Sequence, residues 1–280
     1  MEILRGNYFI KNDETISGIY FDPHLLREGQ SIYEVFRIIL GTPLFLEKHL
    51  ERLEQSTART NHVLKLTRQE ISTRITNLIK VCQLETGNIK IVVDFPVNHS
   101  DSITGFYAYF IEHHYPSAQE YAQGIDTITY HAERSNPNAK IANIELNSSV
   151  NQVIKESNVY EALLLDRNGY LTEGSRSNLF MVKDNTIFTA PLNNVLPGIT
   201  RGYILAICDR LALKIVETSI KEDQLADMEA LFLTGTSPNV LAIKKVNQLT
   251  FDSAAHPMVI TIMNEYDRLI KNYLAGYQDY

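Results

Sequence analysis

The stretch Leu171-Thr172-Glu173-Gly174-Ser175-Arg176-Ser177-Asn178-Leu179-Phe180 reads as a strand end, a Gly–Ser break and the start of a second strand. A Gly–Ser break lets the backbone come close to a ligand, and Glu173 sits at the strand end beside it. Downstream, Leu196-Pro197-Gly198-Ile199-Thr200-Arg201 places a glycine before a helix start, where exposed N–H groups favour an anion. Further on, Leu233-Thr234-Gly235-Thr236-Ser237-Pro238 follows a strand with small hydroxylated residues that can offer N–H and O–H donors. Upstream, Asn136-Pro137-Asn138-Ala139-Lys140 sets a lysine between short apolar residues next to a helix start. Partial burial there would lower the amine's pKa and make it nucleophilic toward an aldehyde. Taken singly, each segment also reads as something ordinary: a polar turn, a Pro-Gly helix entry, a Ser/Thr turn, a solvated lysine.

Around these segments the hydrophobic pattern predicts two α+β domains. Ser31–Leu40 is β-branched and aromatic and is followed by a Gly41-Thr42-Pro43 turn, which suggests a hairpin. Leu46, His49, Leu50 and Leu53 recur at helical spacing, as do Ile71, Ile75, Leu78, Ile79 and Cys82. Ile89–Phe95 and Phe106–Glu112 read as strands joined by a polar loop, 96–104. The expected division is a small α+β domain over 1–115, a linker over 116–123 and a larger α+β domain over 124–280. In the second domain the expected elements are a strand at Ile125–His131, a helix around Asn143–Ser157, four short strands between Glu161 and Ala190, and a helix at Ile199–Leu211. Strands at Lys214–Ser219 and Ala230–Thr234 and a helix at Met258–Leu274 complete it.

Composition narrows the function classes. Of 280 residues, 44% are hydrophobic and 21% charged, which excludes a disordered chain, a coiled coil and a collagen-like repeat. The net charge of −7, with no basic cluster, argues against nucleic acid as a partner. No apolar run approaches the ~20 residues of a membrane span, and the N-terminus lacks a signal-peptide core. Cys82 and Cys208 form neither a disulfide framework nor a metal-ligand spacing, so no metal site is expected. These features suit a soluble, cytoplasmic protein.

In their order along the chain, the four segments closely resemble the fold-type IV pyridoxal-phosphate enzymes: branched-chain aminotransferases, D-amino acid aminotransferases and aminodeoxychorismate lyases. EGSRSNLF and LPGITR, separated by two short strands, carry the resemblance most strongly. It implies a two-domain α+β fold with pyridoxal 5'-phosphate at the domain interface, and it assigns cofactor binding to the larger domain over 124–280. It implies that Lys140 forms the aldimine and that Glu173 pairs with the pyridine nitrogen. Leu196 would pack on the ring, and Ile199, Thr200, Gly235 and Thr236 would bind the phosphate. Arg52, three residues after His49 in HLERLEQS, matches the family's phosphate arginine. The implied activity is ping-pong transfer of an amino group between an amino acid and a 2-oxo acid. Elimination of pyruvate from aminodeoxychorismate is the alternative, and a non-catalytic scaffold is a third reading. A homodimer is implied as well, with the aromatic stretch Phe106–Phe110 as its support within the sequence.

On the substrate side, period 2 puts Tyr33, Val35 and Arg37 on one strand face and Glu34 and Phe36 on the other. Tyr33 and Arg37 are the expected carboxylate-binding pair. Branched-chain enzymes carry a tyrosine–arginine pair on the next strand, whereas Ile89-Lys90-Ile91 has neither. They also have a tyrosine where this chain has Glu145, while Asn143 looks more like the D-amino acid aminotransferase and lyase branches. The D-enzymes use a loop arginine and histidine; Pro96-Val97-Asn98-His99 keeps His99 as a substrate candidate, with Val97 in place of the arginine.

Overall fold

A computed structural model describes residues 3–28, 30–96 and 105–277. The chain divides into two compact units. The first comprises 1–114, 139–144 and 273–280, and the second 115–138 and 145–272.

Unit 1 is a six-stranded antiparallel sheet with two helices. Its elements are β1 (Tyr8–Lys11), β2 (Glu14–Ser17), β3 (Ser31–Ile39), β4 (Thr42–Pro43), α1 (Leu46–Arg59), α2 (Arg68–Cys82), β5 (Gly87–Asp94) and β6 (Gly105–Ile111). The strand order is β2-β1-β6-β5-β3-β4. Alternation along β3 works as its sequence predicts. Ile32, Phe36 and Ile38 join Ile89, Ile91, Val93, Phe106, Ala108 and Phe110 in a core with α1 and α2. Tyr33 lies on the opposite face, with Val92, Tyr107 and Tyr109. On α1 the buried positions are Leu46, His49, Leu50, Arg52, Leu53, Ser56 and Thr57, one helical stripe that carries polar groups inward along with the leucines. Phe106, Ala108, Tyr109 and Phe110 are buried within the chain, and Tyr107 is half-buried.

The segment 139–144 belongs to unit 1 because its backbone pairs with the start of β3. Tyr33 N donates to Lys140 O at 3.0 Å, Ala142 N donates to Ser31 O at 2.8 Å, and Ile32 bridges Ile141.

Unit 2 contains α3 (Ala118–Gln123), β7 (Ile125–His131), α4 (Ile144–Ser157, entered from unit 1), β8 (Glu161–Leu165), β9 (Tyr170–Gly174), β10 (Asn178–Lys183), β11 (Thr186–Thr189), α5 (Ile199–Arg210), β12 (Lys214–Glu217), β13 (Ile220–Lys221), β14 (Ala230–Gly235), β15 (Asn239–Val246), β16 (Leu249–Thr250) and α6 (Pro257–Tyr277). The expected linker thus carries a short helix, started by a capping box in which Ser117 and Glu120 satisfy each other's orphan N–H groups. The strands run β12-β11-β10-β14-β15-β7-β8-β9-β13, and a further pairing of β9 with β10 closes six of them into a ring. That closure is made by Glu173 opposite Asn178.

Alternate residues of the ring, among them Leu163, Leu171, Leu179, Leu233 and Leu241, form one core. β15 is absent from the sequence expectation. Its run Val240–Ile243 is buried on both faces, so it has no polar alternation to announce a strand. No helix among the described residues is long and apolar enough to cross a membrane.

Candidate active site

In unit 2 the signature segments gather around the ring closure. Glu173 is only 4% exposed. Its Oε1 accepts from Arg134 Nε at 2.8 Å, and its Oε2 accepts from Leu196 N at 3.0 Å and from Asn178 Nδ2 at 3.3 Å. Donors on both oxygens fix the plane of the carboxylate. Asn178 Nδ2 also donates to Leu196 O at 3.0 Å, which ties the 173–180 and 196–201 segments together.

Two glycines are required here by close approach. A Cβ on Gly198 would lie 1.9 Å from Asn178 Oδ1, and one on Gly174 would lie 2.3 Å from Ser177 Oγ. Glu161 of β8 shapes the same turn from beneath, accepting from Arg176 N at 2.6 Å and Ser177 Oγ at 3.0 Å.

Gly198 is the N-cap of α5, and no side chain caps that helix, so its first amides remain available to an anion. The Thr200 hydroxyl lies 3.2 Å from Tyr266 Oη. At the end of β14, Gly235 and Thr236 are half-buried and open the turn into β15. Thr234 Oγ1, at the root of that turn, is buried with no hydrogen-bond partner among the described residues.

In unit 1 the chemistry sits on long side chains. Lys140 is half-buried, its N donates to Ser56 Oγ at 3.1 Å, and its Nζ stands 4.8 Å from the centroid of the Tyr33 ring. Beneath the other face of β3 lies a buried ionic triad. Arg52 grips Glu34 through Nε (2.7 Å) and Nη2 (2.6 Å), and His49 Nδ1 lies 2.8 Å from Glu34 Oε2. Burial by itself would push the Glu34 carboxyl up. The Arg52 charge and the hydrogen bonds from Arg52 and His49 outweigh it and bring the carboxyl down to about 2. An ionised carboxylate only accepts, so His49 Nδ1 is the donor. Burial also pushes the His49 pKa down, against the pull of Glu34, with Arg52 and Lys140 adding to the depression. His49 is therefore a neutral donor at neutral pH.

The expected site residues fall into two sets. Tyr33, Arg37, Arg52 and Lys140 belong to unit 1, and Glu173, Leu196, Ile199, Thr200, Gly235 and Thr236 to unit 2. His99 lies outside the described residues. Glu34, His49, Lys90, Arg134, Glu161 and Asn178 were not among the expected site residues. His49 and Asn178 stood inside quoted motifs, and their spacing from Arg52 and Glu173 was the available signal. Arg134 had no local mark, because its partner lies on a distant strand.

The sequence pattern of the amino-transferase class IV family matches residues 31–246. A D-alanine aminotransferase of Bacillus licheniformis is 28% identical over 235 residues, covering 81% of this chain and 82% of that one. A branched-chain-amino-acid aminotransferase of Escherichia coli K12 is 26% identical over 278 residues, covering 88% and 87%. The crystal structure of an Escherichia coli branched-chain amino acid aminotransferase superposes with a TM-score of 0.84 at 22% identity, covering 95% of this chain and 95% of that one. With the family pattern spanning both the Tyr33–Arg52 region and the Glu173–Thr236 loops, this chain belongs to the class IV aminotransferases.

Proposed function

We propose that this chain is a pyridoxal 5'-phosphate-dependent aminotransferase, moving an amino group from an amino acid to a 2-oxo acid by a ping-pong route. The observation that carries the reading is the buried Glu173 carboxylate, anchored at both oxygens by Arg134, Asn178 and the Leu196 amide. Such an anion suits a protonated pyridine nitrogen. The remaining donors suit the phosphate of the same cofactor: the uncapped N-terminus of α5 and the orphaned Thr234 hydroxyl beside Gly235 and Thr236. Lys140 would hold the cofactor covalently. The amides of Ile199, Thr200 and Gly235, with Thr236 and Arg52, would hold its phosphate, and Leu196 would cover the ring.

When bound, the cofactor supplies an electron-accepting ring that stabilises negative charge at the substrate Cα. Glu173 keeps a proton on the ring nitrogen, which maintains that capacity. The Lys140 Nζ, in its uncharged form, would be the base that moves the Cα proton. Glu34 and His49 hold Arg52 rigid, so its charge is set before a phosphate arrives.

Borohydride reduction of the holoprotein followed by peptide mapping tests the attachment; an adduct on a lysine other than Lys140 would sink the assignment. A screen of L- and D-amino acids against 2-oxo acid acceptors tests the reaction. Turnover that depends on the acceptor supports transfer, whereas pyruvate release without an acceptor marks a lyase.

A further inference from the structure

Lys90 is a basic residue that the sequence reading assigned to nothing. It lies on β5, and it is only 5% exposed. Lysine is rarely buried to that degree, because its ammonium loses hydration. Its register partners are Val35 on β3 and Tyr109 on β6. That places it diagonal to Tyr33, whose partner on β5 is Val92, so a long side chain reaches the tyrosine ring. Lys90 Nζ stands 4.5 Å from the ring centroid, and Lys140 Nζ stands 4.8 Å from the same centroid. The two ammonium nitrogens are therefore no farther apart than those two distances laid end to end.

A ring quadrupole attracts each cation, but the two cations repel one another. Once Lys140 is committed to the cofactor, an anion entering beside Tyr33 would be drawn to Lys90. A substrate whose amine enters at Lys140 carries its α-carboxylate one carbon away, and Lys90 stands against the same ring as Lys140. Arg37, the cation that β3 itself carries on this face, is four residues along the strand from Tyr33, roughly 13 Å at the rise of a strand. It pairs in register with Asn88 at the far end of β5.

We infer that Lys90 is the cation that reads the substrate carboxylate, so that this enzyme selects amino acids and 2-oxo acids over amines lacking a carboxyl group. The inference deepens the proposed function and rests on it. Tyr33 orients the Lys90 ammonium, and the apolar neighbours Val92 and Tyr109 keep water from screening the contact. The site is specified by charge and reach rather than by a bidentate fork. Lysine acts as a point charge and tolerates either geometry of the carboxylate.

The test is a ratio: kcat/KM for an amino acid over kcat/KM for the matching amine, measured on holoenzyme. Lys90→Met keeps the length and volume of the side chain and removes the charge. It should lower the ratio by about 10- to 100-fold, a range expected for loss of one charge-assisted contact. Lys90→Arg should restore most of it, and Arg37→Ala should move it less than Lys90→Met does. The binding of 2-methylalanine against isopropylamine, followed by cofactor absorbance, gives the same ratio without turnover. An unchanged ratio in Lys90→Met, or a larger fall in Arg37→Ala, overturns the inference. Failure of Lys90→Met and Lys90→Arg alike to load cofactor would also overturn it, since Lys90 would then be structural. If the unmodified protein shows no borohydride adduct on Lys140, it is the proposed function that fails, and the two outcomes are separate.

Discussion

The two units prepare their charged groups in opposite ways. In unit 2 the buried Glu173 carboxylate is surrounded by donors from a loop amide, an asparagine and an arginine, and the start of α5 offers backbone amides that no side chain caps. In unit 1 the charges are borne by long side chains: Glu34, His49 and Arg52 on one face of β3, Lys90 and Lys140 around Tyr33 on the other. Backbone donors cost nothing to keep oriented once the loop is formed. Side-chain ions must be held by other ions, and they bring their desolvation with them. Under the proposed function, this difference predicts that removing a charge from unit 2 weakens the chemistry, whereas removing one from the unit 1 triad weakens the fold as well.

Four changes press on that contrast. Lys140→Ala should have the largest effect. Turnover should fall on the order of 10³-fold or more, measured by pre-steady-state conversion of an amino acid on loaded enzyme. A residual rate within tenfold would remove Lys140 from the chemistry. Glu34→Gln should follow, on stability: it leaves Arg52 buried without its counter-charge, and breaking such a pair costs about 3–5 kcal/mol. Urea unfolding measures this, and a loss below about 1 kcal/mol would mean that the triad is dispensable.

Glu173→Gln is the matched change in unit 2. It should cost on the order of 10²-fold in turnover, because an amide cannot hold the proton on the ring nitrogen, while the unfolding midpoint shifts far less than in Glu34→Gln. Equal losses of stability in the two variants would erase the contrast. Smallest, Thr200→Val should cost about 1 kcal/mol by losing the contact with Tyr266 Oη while keeping the Thr200 amide. A large drop in cofactor affinity would show that the hydroxyl, and not the amide, is the phosphate donor.

Acid should act through unit 1 in two stages. The His49 pKa is lowered from 6.5, so below that value the unfolded chain takes up a proton that the folded chain refuses, and stability begins to fall. Glu34 sits at about 2 against an ordinary 4.5. Its contribution is complete above 4.5 and is lost as the pH drops toward 2. Unfolding midpoints recorded from pH 7 downward should show both stages, and His49→Gln should abolish the upper one. A flat profile above about pH 5 in the unmodified protein would contradict this account of His49.

By itself the sequence determined the local parts of the site. Gly174 and Gly198 leave space that a Cβ would fill, α5 begins where Pro197-Gly198 says it should, and the α1 repeat carries Arg52 on its inner stripe. These depend on neighbours within a few residues, and residue type plus spacing is enough to read them. The face of β3 that bears Tyr33 was legible for the same reason, since alternation is a local property.

Only the tertiary structure decided which groups meet. Glu34 finds Arg52 18 residues later because β3 packs on α1, Arg134 finds Glu173 39 residues later, and Lys90 reaches Tyr33 through the register of β5 on β3. A slip of one residue in that register would turn Lys90 to the helix side, and no feature of Ile89-Lys90-Ile91 alone says which register holds. Local patterns specify elements and loops, whereas pairings between distant charges follow from how the sheets align. For that reason the loop residues of unit 2 and single side chains such as Arg52 and Lys140 could be named from the chain, whereas the partners that hold them, Glu34, His49 and Arg134, could not.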